Sequence, residues 1–192
     1  MIVHPPHPGD VSGFAAEKYA EDLATDGFVY SHTRVMAMNP DADLAFEQLT
    51  GSLVSTLGLR NYELVTLAAA RTLRSPHCLL AHGRKTLRAG VLDEAQLVRV
   101  AADYTSAGLS DAEVAMMAFA ERMSVDASAM TDADSQVLRD HGFSDRDIVD
   151  IAMAAGARNF LSRVLQALAV PVEDVPELDE DVAAALLSPT RA

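Results

Sequence analysis

Residues 62–90 read YELVTLAAARTLRSPHCLLAHGRKTLRAG. Between Leu64 and Ala70 the segment is apolar nearly all round, which predicts a buried helix over about Leu59–Leu73. Arg74-Ser75-Pro76 then breaks the chain. Ser75 suits an N-cap and Pro76 a first helical position, so a second helix is expected from there to Ala89, stopped by Gly90. This helix–turn–helix, residues 59–90, is the core motif around which the other segments read as helical packing.

Working outward, the pattern stays helical. Upstream, a short helix is expected over Phe14–Thr25 and another from Pro40 to about Leu57, while Phe28–Met38 is ambiguous. Downstream, Asp93, Ser110, Thr131 and Ser144 each open a helix, and Ser110 with Glu113 resembles a capping box. The longest helix starts after Ser144, carries the stripe Ile148, Ile151, Ala152, Ala155, Leu161, Val164, Leu165 and Leu168, and ends before Pro171. No useful stretch alternates with period two, so no sheet is assigned. The expectation is an all-α domain of about eight to nine helices over residues 1–170. An acidic, Pro-punctuated tail or arm over 171–192 would carry a small amphipathic piece near Val182–Leu187.

Composition narrows the function classes. Of 192 residues 49% are hydrophobic, enough for one full core, and the formal net charge is −13. Such a charge repels phosphate backbones and anionic lipid, which argues against nucleic-acid and membrane-surface partners and suits a cytoplasmic protein. The N-terminal MIVHPPHPGD has neither the basic flank nor the apolar core of a signal peptide, and the apolar run near Leu64–Ala70 is far too short to span a membrane. A single cysteine excludes an internal disulfide and a thiol-rich zinc site.

That cysteine is where chemistry enters. Cys78 is the third residue of the helix after Ser75, where backbone N–H groups and the helix dipole favour a thiolate. His82 follows four residues later on the same face, placed to take the thiol proton, and Lys85 is one turn further on. Leu80, Gly83 and Leu87 point the other way. Glu63 lies on the otherwise apolar stripe of Leu67 and Ala70, so burial is expected to raise its pKa, and it is placed to orient His82 as the third group of a triad. His77 points a quarter-turn from Cys78 and is a possible supporting residue, as is Ser75. His77 and His82 are five apart and share no face, so no metal and no cofactor are expected. Each residue also has a structural alternative: a small buried thiol, a surface histidine, a glutamate favouring its helix dipole, a solvated His77 and a capping Ser75.

With those residues placed, the chain resembles the carboxymuconolactone decarboxylase/alkylhydroperoxidase D superfamily, in its peroxidase-related branch. The signature there is a Glu, a C-x-x-C pair beginning twelve residues on, and a His four after the second Cys. Glu63, Ser75, Cys78 and His82 occupy those places, with S-x-x-C for C-x-x-C, and His77 matches a histidine often found between the cysteines. GFVYSHTRVMAMNP and FSDRDIVDIAMAAGARNFLSRV also look like segments of such members, so the resemblance covers roughly residues 25–170. It implies an AhpD-like multi-helix bundle that forms an obligate homo-oligomer (dimer, trimer or hexamer). It also implies that Cys78 attacks a peroxide while His82 and Glu63 relay protons.

Ser75 departs from the pattern. It stands where the resolving cysteine would be, so an oxidised Cys78 needs an external thiol reductant or Cys78 of another subunit to reset it. Three readings follow. One is a one-cysteine, thiol-dependent peroxidase-like oxidoreductase acting on hydrogen or organic hydroperoxides. The second is an acid–base enzyme of the lactone decarboxylase type, working on a carboxylated substrate through Glu63 and His82. The third is a non-catalytic helical member of the family.

Overall fold

A computed structural model describes residues 1–191. Residue 192, the end of the expected tail, lies outside them. Among the described residues there are ten α-helices and no strand, nine of them before residue 170, one more than the helices read individually from the sequence there. The addition is α2, in the ambiguous segment. The first four helices are α1 (Gly13–Asp26), α2 (Ser31–Met36), α3 (Pro40–Leu57) and α4 (Leu59–Thr72). Next come α5 (Pro76–Arg88), α6 (Glu94–Asp103) and α7 (Asp111–Asp126). The last three are α8 (Asp132–Asp140), α9 (Asp145–Ala167) and α10 (Glu180–Leu187).

Local chemistry sets most of these boundaries. Asn39 Oδ1 accepts from the Ala42 N–H at the start of α3, with Pro40 as its first residue. Gly58, at φ 77°, turns the chain directly from α3 into α4. Asp93 caps α6, and reciprocal capping boxes open α7 at Ser110/Glu113, α8 at Thr131/Asp134 and α9 at Ser144/Asp147.

Helix α4 is the axis of the molecule. Every residue from Tyr62 to Ala70 is buried, and the helix is surrounded by α3, α5, α7 and α9. A helix apolar on all sides has nowhere else to go. Its C-terminus reverses through Arg74, a non-glycine residue at φ 51°, with the Ser75 N–H donating back to Ala70 O at 3.0 Å. The Gln166 amide of α9 donates to the Leu73 carbonyl at 2.8 Å, which ties the α4–α5 turn to α9.

The segment 171–192, expected as a tail or arm, carries α10, seated on α5 and α6 of the same chain. Val182 and Leu186 are buried there. A Cβ on Gly83 of α5 would collide with Leu186 Cδ1, so the two helices approach closely because that position is glycine. At the other end, Asp26 accepts two hydrogen bonds from Arg84 (2.7 and 2.9 Å) and one from the Tyr30 hydroxyl (2.9 Å), which anchors the α1–α2 corner to α5. No helix among the described residues is long and apolar enough to cross a membrane.

Candidate active site

A pocket of about 340 Å³ opens where α1, α2 and α3 lean over α4, α5 and α9. Cys78, His82, His77, Tyr62 and Arg158 line its inner side. The lining also includes Lys18, Glu21 and Asp22 of α1, His32 of α2, and Asp43 and Glu47 of α3. Of the expected site residues, Cys78 and His82 line the pocket together, and Glu63 lies behind it, bonded to His82 across the α4–α5 pair.

His82 Nδ1 lies 2.6 Å from Glu63 Oε2, and Glu63 is fully buried. Burial alone would raise the Glu63 carboxyl, as expected from its apolar stripe. His82, Lys85 and Arg158 outweigh burial and hold the carboxyl below its ordinary range, so the expected direction is corrected. The reversal comes first from the hydrogen-bonded His82, and then from cations that the local sequence pattern around Glu63 does not contain: Lys85 Nζ stands 3.8 Å from Oε1, and Arg158 arrives on α9. Burial and the Arg158 charge depress His82 to about 4 against the pull of Glu63. At neutral pH the pair is therefore a carboxylate accepting the Nδ1–H of a neutral imidazole, and Nε2 keeps its lone pair.

Cys78 is 2% exposed and sits at the third position of α5, as expected. Its hydrogen-bond partners are not those expected. Sγ lies 3.3 Å from Ser162 Oγ and receives Arg158 Nη1–H at 3.4 Å. Among the described residues no hydrogen bond joins Cys78 to His82. Ser75 occupies the N-cap position of α5, yet its hydroxyl caps nothing: Oγ is buried without a partner. The expectation of a capping side chain is corrected to a capping position only. His77 turns aside, its Nε2–H donating to Pro171 O at 2.8 Å, with its ring edge-on to His32 at 6.3 Å.

Sequence reasoning missed Arg158, Ser162, Tyr62 and His32. Arg158 and Ser162 were detectable in principle, because they fall on the buried stripe Ile151–Ala155–Arg158–Ser162–Leu165 of α9 at helical spacing. Arg158 is 3% exposed. Burial opposes its charge, and the neighbouring Cys78 and Tyr62 side chains more than offset that. Burial and the facing His77 likewise depress His32 to about 4. Among the described residues no group of three or more His, Cys, Asp or Glu side chains is placed to hold a metal ion.

Residues 40–122 match the carboxymuconolactone decarboxylase family. Three solved structures share the fold. One is a peroxidase-related protein from Ralstonia eutropha JMP134 described as an alkylhydroperoxidase AhpD core, with TM-score 0.75 and 22% identity over 98% of this chain and 97% of that one. A peroxidase-related protein from Silicibacter sp. TM1040 aligns with TM-score 0.76 and 25% identity over 88% and 90%. The apo debrominase Bmp8 aligns with TM-score 0.74 and 18% identity over 97% and 96%. No curated protein matches the chain significantly in sequence.

Proposed function

Since the chain belongs to the carboxymuconolactone decarboxylase/alkylhydroperoxidase D superfamily, we propose that its pocket is a one-cysteine, peroxidase-like site that reduces hydrogen or organic hydroperoxides. The observation that carries this reading is the Glu63–His82 pair at 2.6 Å, which leaves a neutral imidazole with a free Nε2 in the same pocket as Cys78.

Each residue then has a role. Neutral His82 takes the proton of the Cys78 thiol, and Glu63 stabilises the imidazolium through Nδ1–H. The thiolate attacks the terminal peroxide oxygen. An S–O bond forms, the O–O bond breaks, and the departing alkoxide takes the proton from His82. Cys78–SH and ROOH thus become Cys78–SOH and ROH. Two equivalents of an external thiol reset the site, the first displacing water to form a mixed disulfide and the second releasing Cys78–SH with the oxidised thiol. The side chain of Ser75 has no part in this cycle. We place the working form in a homo-oligomer, supported by the exposed Leu44 and Leu49 of α3 and Met153 and Phe160 of α9.

The test is peroxide consumption with a small thiol as reductant, with dimedone trapping of the sulfenic acid. Wild type should consume peroxide far faster than free cysteine and trap one dimedone per chain, and Cys78→Ser should do neither. A wild-type rate no faster than free cysteine sinks the reading. A second reading has its own support, because Glu63 and His82 are bonded directly while Cys78 bonds to neither: an acid–base enzyme for a small carboxylated substrate, with Cys78 a bystander. Full turnover of such a substrate by Cys78→Ser would favour it.

A further inference from the structure

We infer that Arg158 is a catalytic residue of this site: its guanidinium is the counter-charge that holds Cys78 as a thiolate facing the pocket, so that His82 has only the proton to carry. The inference rests on the reading of Cys78 as the working thiol. It assigns to α9 a function that the α4–α5 pair was expected to perform alone.

Three observations converge. First, the titratable groups around Cys78 are His77, His82 and Lys85 of α5, Tyr62 and Glu63 of α4, His32 of α2, and Arg158 of α9. Of these only Arg158 reaches Sγ, through Nη1 at 3.4 Å, and the neutral Ser162 hydroxyl completes the contact at 3.3 Å.

Second, Arg158 is 3% exposed and, among the described residues, forms no direct ion pair with a carboxylate: Glu63 acts on it only at longer range, and its side-chain partners are Cys78 and Tyr62. Its Nε is buried without a partner. A guanidinium taken out of water without an anion is costly, so a negative charge belongs beside it.

Third, the pocket is a poor source of that charge from outside. Its lining carries four carboxylates, Glu21, Asp22, Asp43 and Glu47. The lysines are engaged, Lys18 with Glu21 and Glu47 and Lys85 with Glu63. An anionic ligand would share the pocket with those acids. Cys78 Sγ is already in contact with Arg158 and can supply the charge from within.

The chemistry follows. The proton of Cys78 leaves through His82 Nε2 to solvent, so at rest His82 is neutral and the electron pair stays on sulfur beside the guanidinium. When sulfur attacks the peroxide, that pair forms the S–O bond, the alkoxide leaves with the O–O electrons, and His82 passes it a proton from solvent. Arg158 keeps all its protons throughout. The same charge pattern predicts that neutral hydroperoxides are taken ahead of carboxylate-bearing ones.

The experiment is alkylation of Cys78 by the neutral reagent iodoacetamide across pH, in wild type, Arg158→Met and Arg158→Lys, with circular dichroism to confirm folding. In Arg158→Met the rate at neutral pH should fall at least about tenfold, with the rising limb of the profile about one unit higher. Arg158→Lys should recover part of both. An unchanged profile in folded Arg158→Met overturns the inference. If Arg158→Met does not fold, the thiolate ultraviolet absorbance of native wild type at neutral pH decides: its presence supports the inference and its absence overturns it. The peroxidase-like reading fails separately. A thiolate that depends on Arg158 without peroxide turnover defeats that reading alone, whereas turnover with an Arg158-independent profile defeats only the inference.

Discussion

The two walls of the pocket are assembled differently. Glu63, Cys78 and His82 come from helices joined by the turn at Leu73–Ser75, whereas Arg158 lies 80 residues beyond Cys78 and Ser162 lies 84 beyond it. The near wall holds the proton-carrying groups, a carboxylate and a neutral imidazole. The far wall holds the fixed charge. A helical pair fixes the spacing of its own side chains through its 3.6-residue period, but it cannot supply a counter-charge from a third direction. That has to come from another helix, and here Gln166 of α9, one turn beyond Ser162, ties the same helix to the α4–α5 turn.

The strongest effect expected from any single change lies on neither wall. Leu186 of α10 fills the face of α5 opposite Cys78, over Gly83. Leu186→Ala should lower stability by about 2–5 kcal/mol in chemical denaturation, because it opens a cavity in a buried contact. Well below the unfolding temperature the iodoacetamide profile of Cys78 should not change. A shifted profile would mean that α10 also governs the walls, and the comparison would have to include a third side.

The next change separates the walls directly. Glu63→Gln keeps the shape of the near wall and removes its charge. Peroxide turnover should fall by about 10²-fold, because His82 loses the group that stabilises its protonated form. The alkylation rate of Cys78 should stay within about threefold, since Arg158 keeps its contact with Sγ. Equal losses in both assays would show that the walls act as one unit.

That separation also explains what the sequence disclosed. Capping chemistry is local, so the starts of α6, α7, α8 and α9 were legible from Asp93, Ser110, Thr131 and Ser144. The spacing of Cys78 and His82 was legible for the same reason. The direction of the Glu63 shift was not, because its apolar stripe announces burial while the cations that overcome burial stand on α5 and α9. Ser75 was legible as a position but not as a contact, since its backbone opens α5 while its hydroxyl bonds to nothing. Arg158 sits in the run IAMAAGARNFLS, where a lone arginine on a stripe of small residues was the available signal. The short α2 had no periodicity to betray it, and its place follows from the Asp26–Arg84–Tyr30 anchor.

The histidines of the pocket should also respond to acid. His82 and His32 have folded values of about 4, against an ordinary value near 6.5. Below about 6.5 the unfolded chain binds protons that the folded chain refuses until about pH 4. Their contribution to stability is therefore complete above that upper value and is lost as pH falls through the window. Asp22 and Asp43, raised by burial, act in the opposite sense, so the comparison is best made between variants. His32→Gln should lose several degrees less of melting temperature than wild type between about pH 7 and pH 4.5. An equal loss would show that His32 takes up its proton as readily in the folded protein as in the unfolded one.

Ser162 gives the smallest effect and the finest resolution within the far wall. It is fully buried, and its hydroxyl lies 3.3 Å from Cys78 Sγ. A neutral hydroxyl offers the sulfur a hydrogen bond but no charge, and such a bond contributes about 0.5–1.5 kcal/mol. Ser162→Ala should therefore slow alkylation of Cys78 by no more than about tenfold and move the pH profile less than Arg158→Met does. If the two variants behave alike, the far wall works as a coupled network in which Ser162 aims the sulfur at the guanidinium. If Ser162→Ala has no effect on the profile while Arg158→Met shifts it, the charge alone holds Cys78 in place and the hydroxyl serves only to fill the space behind it.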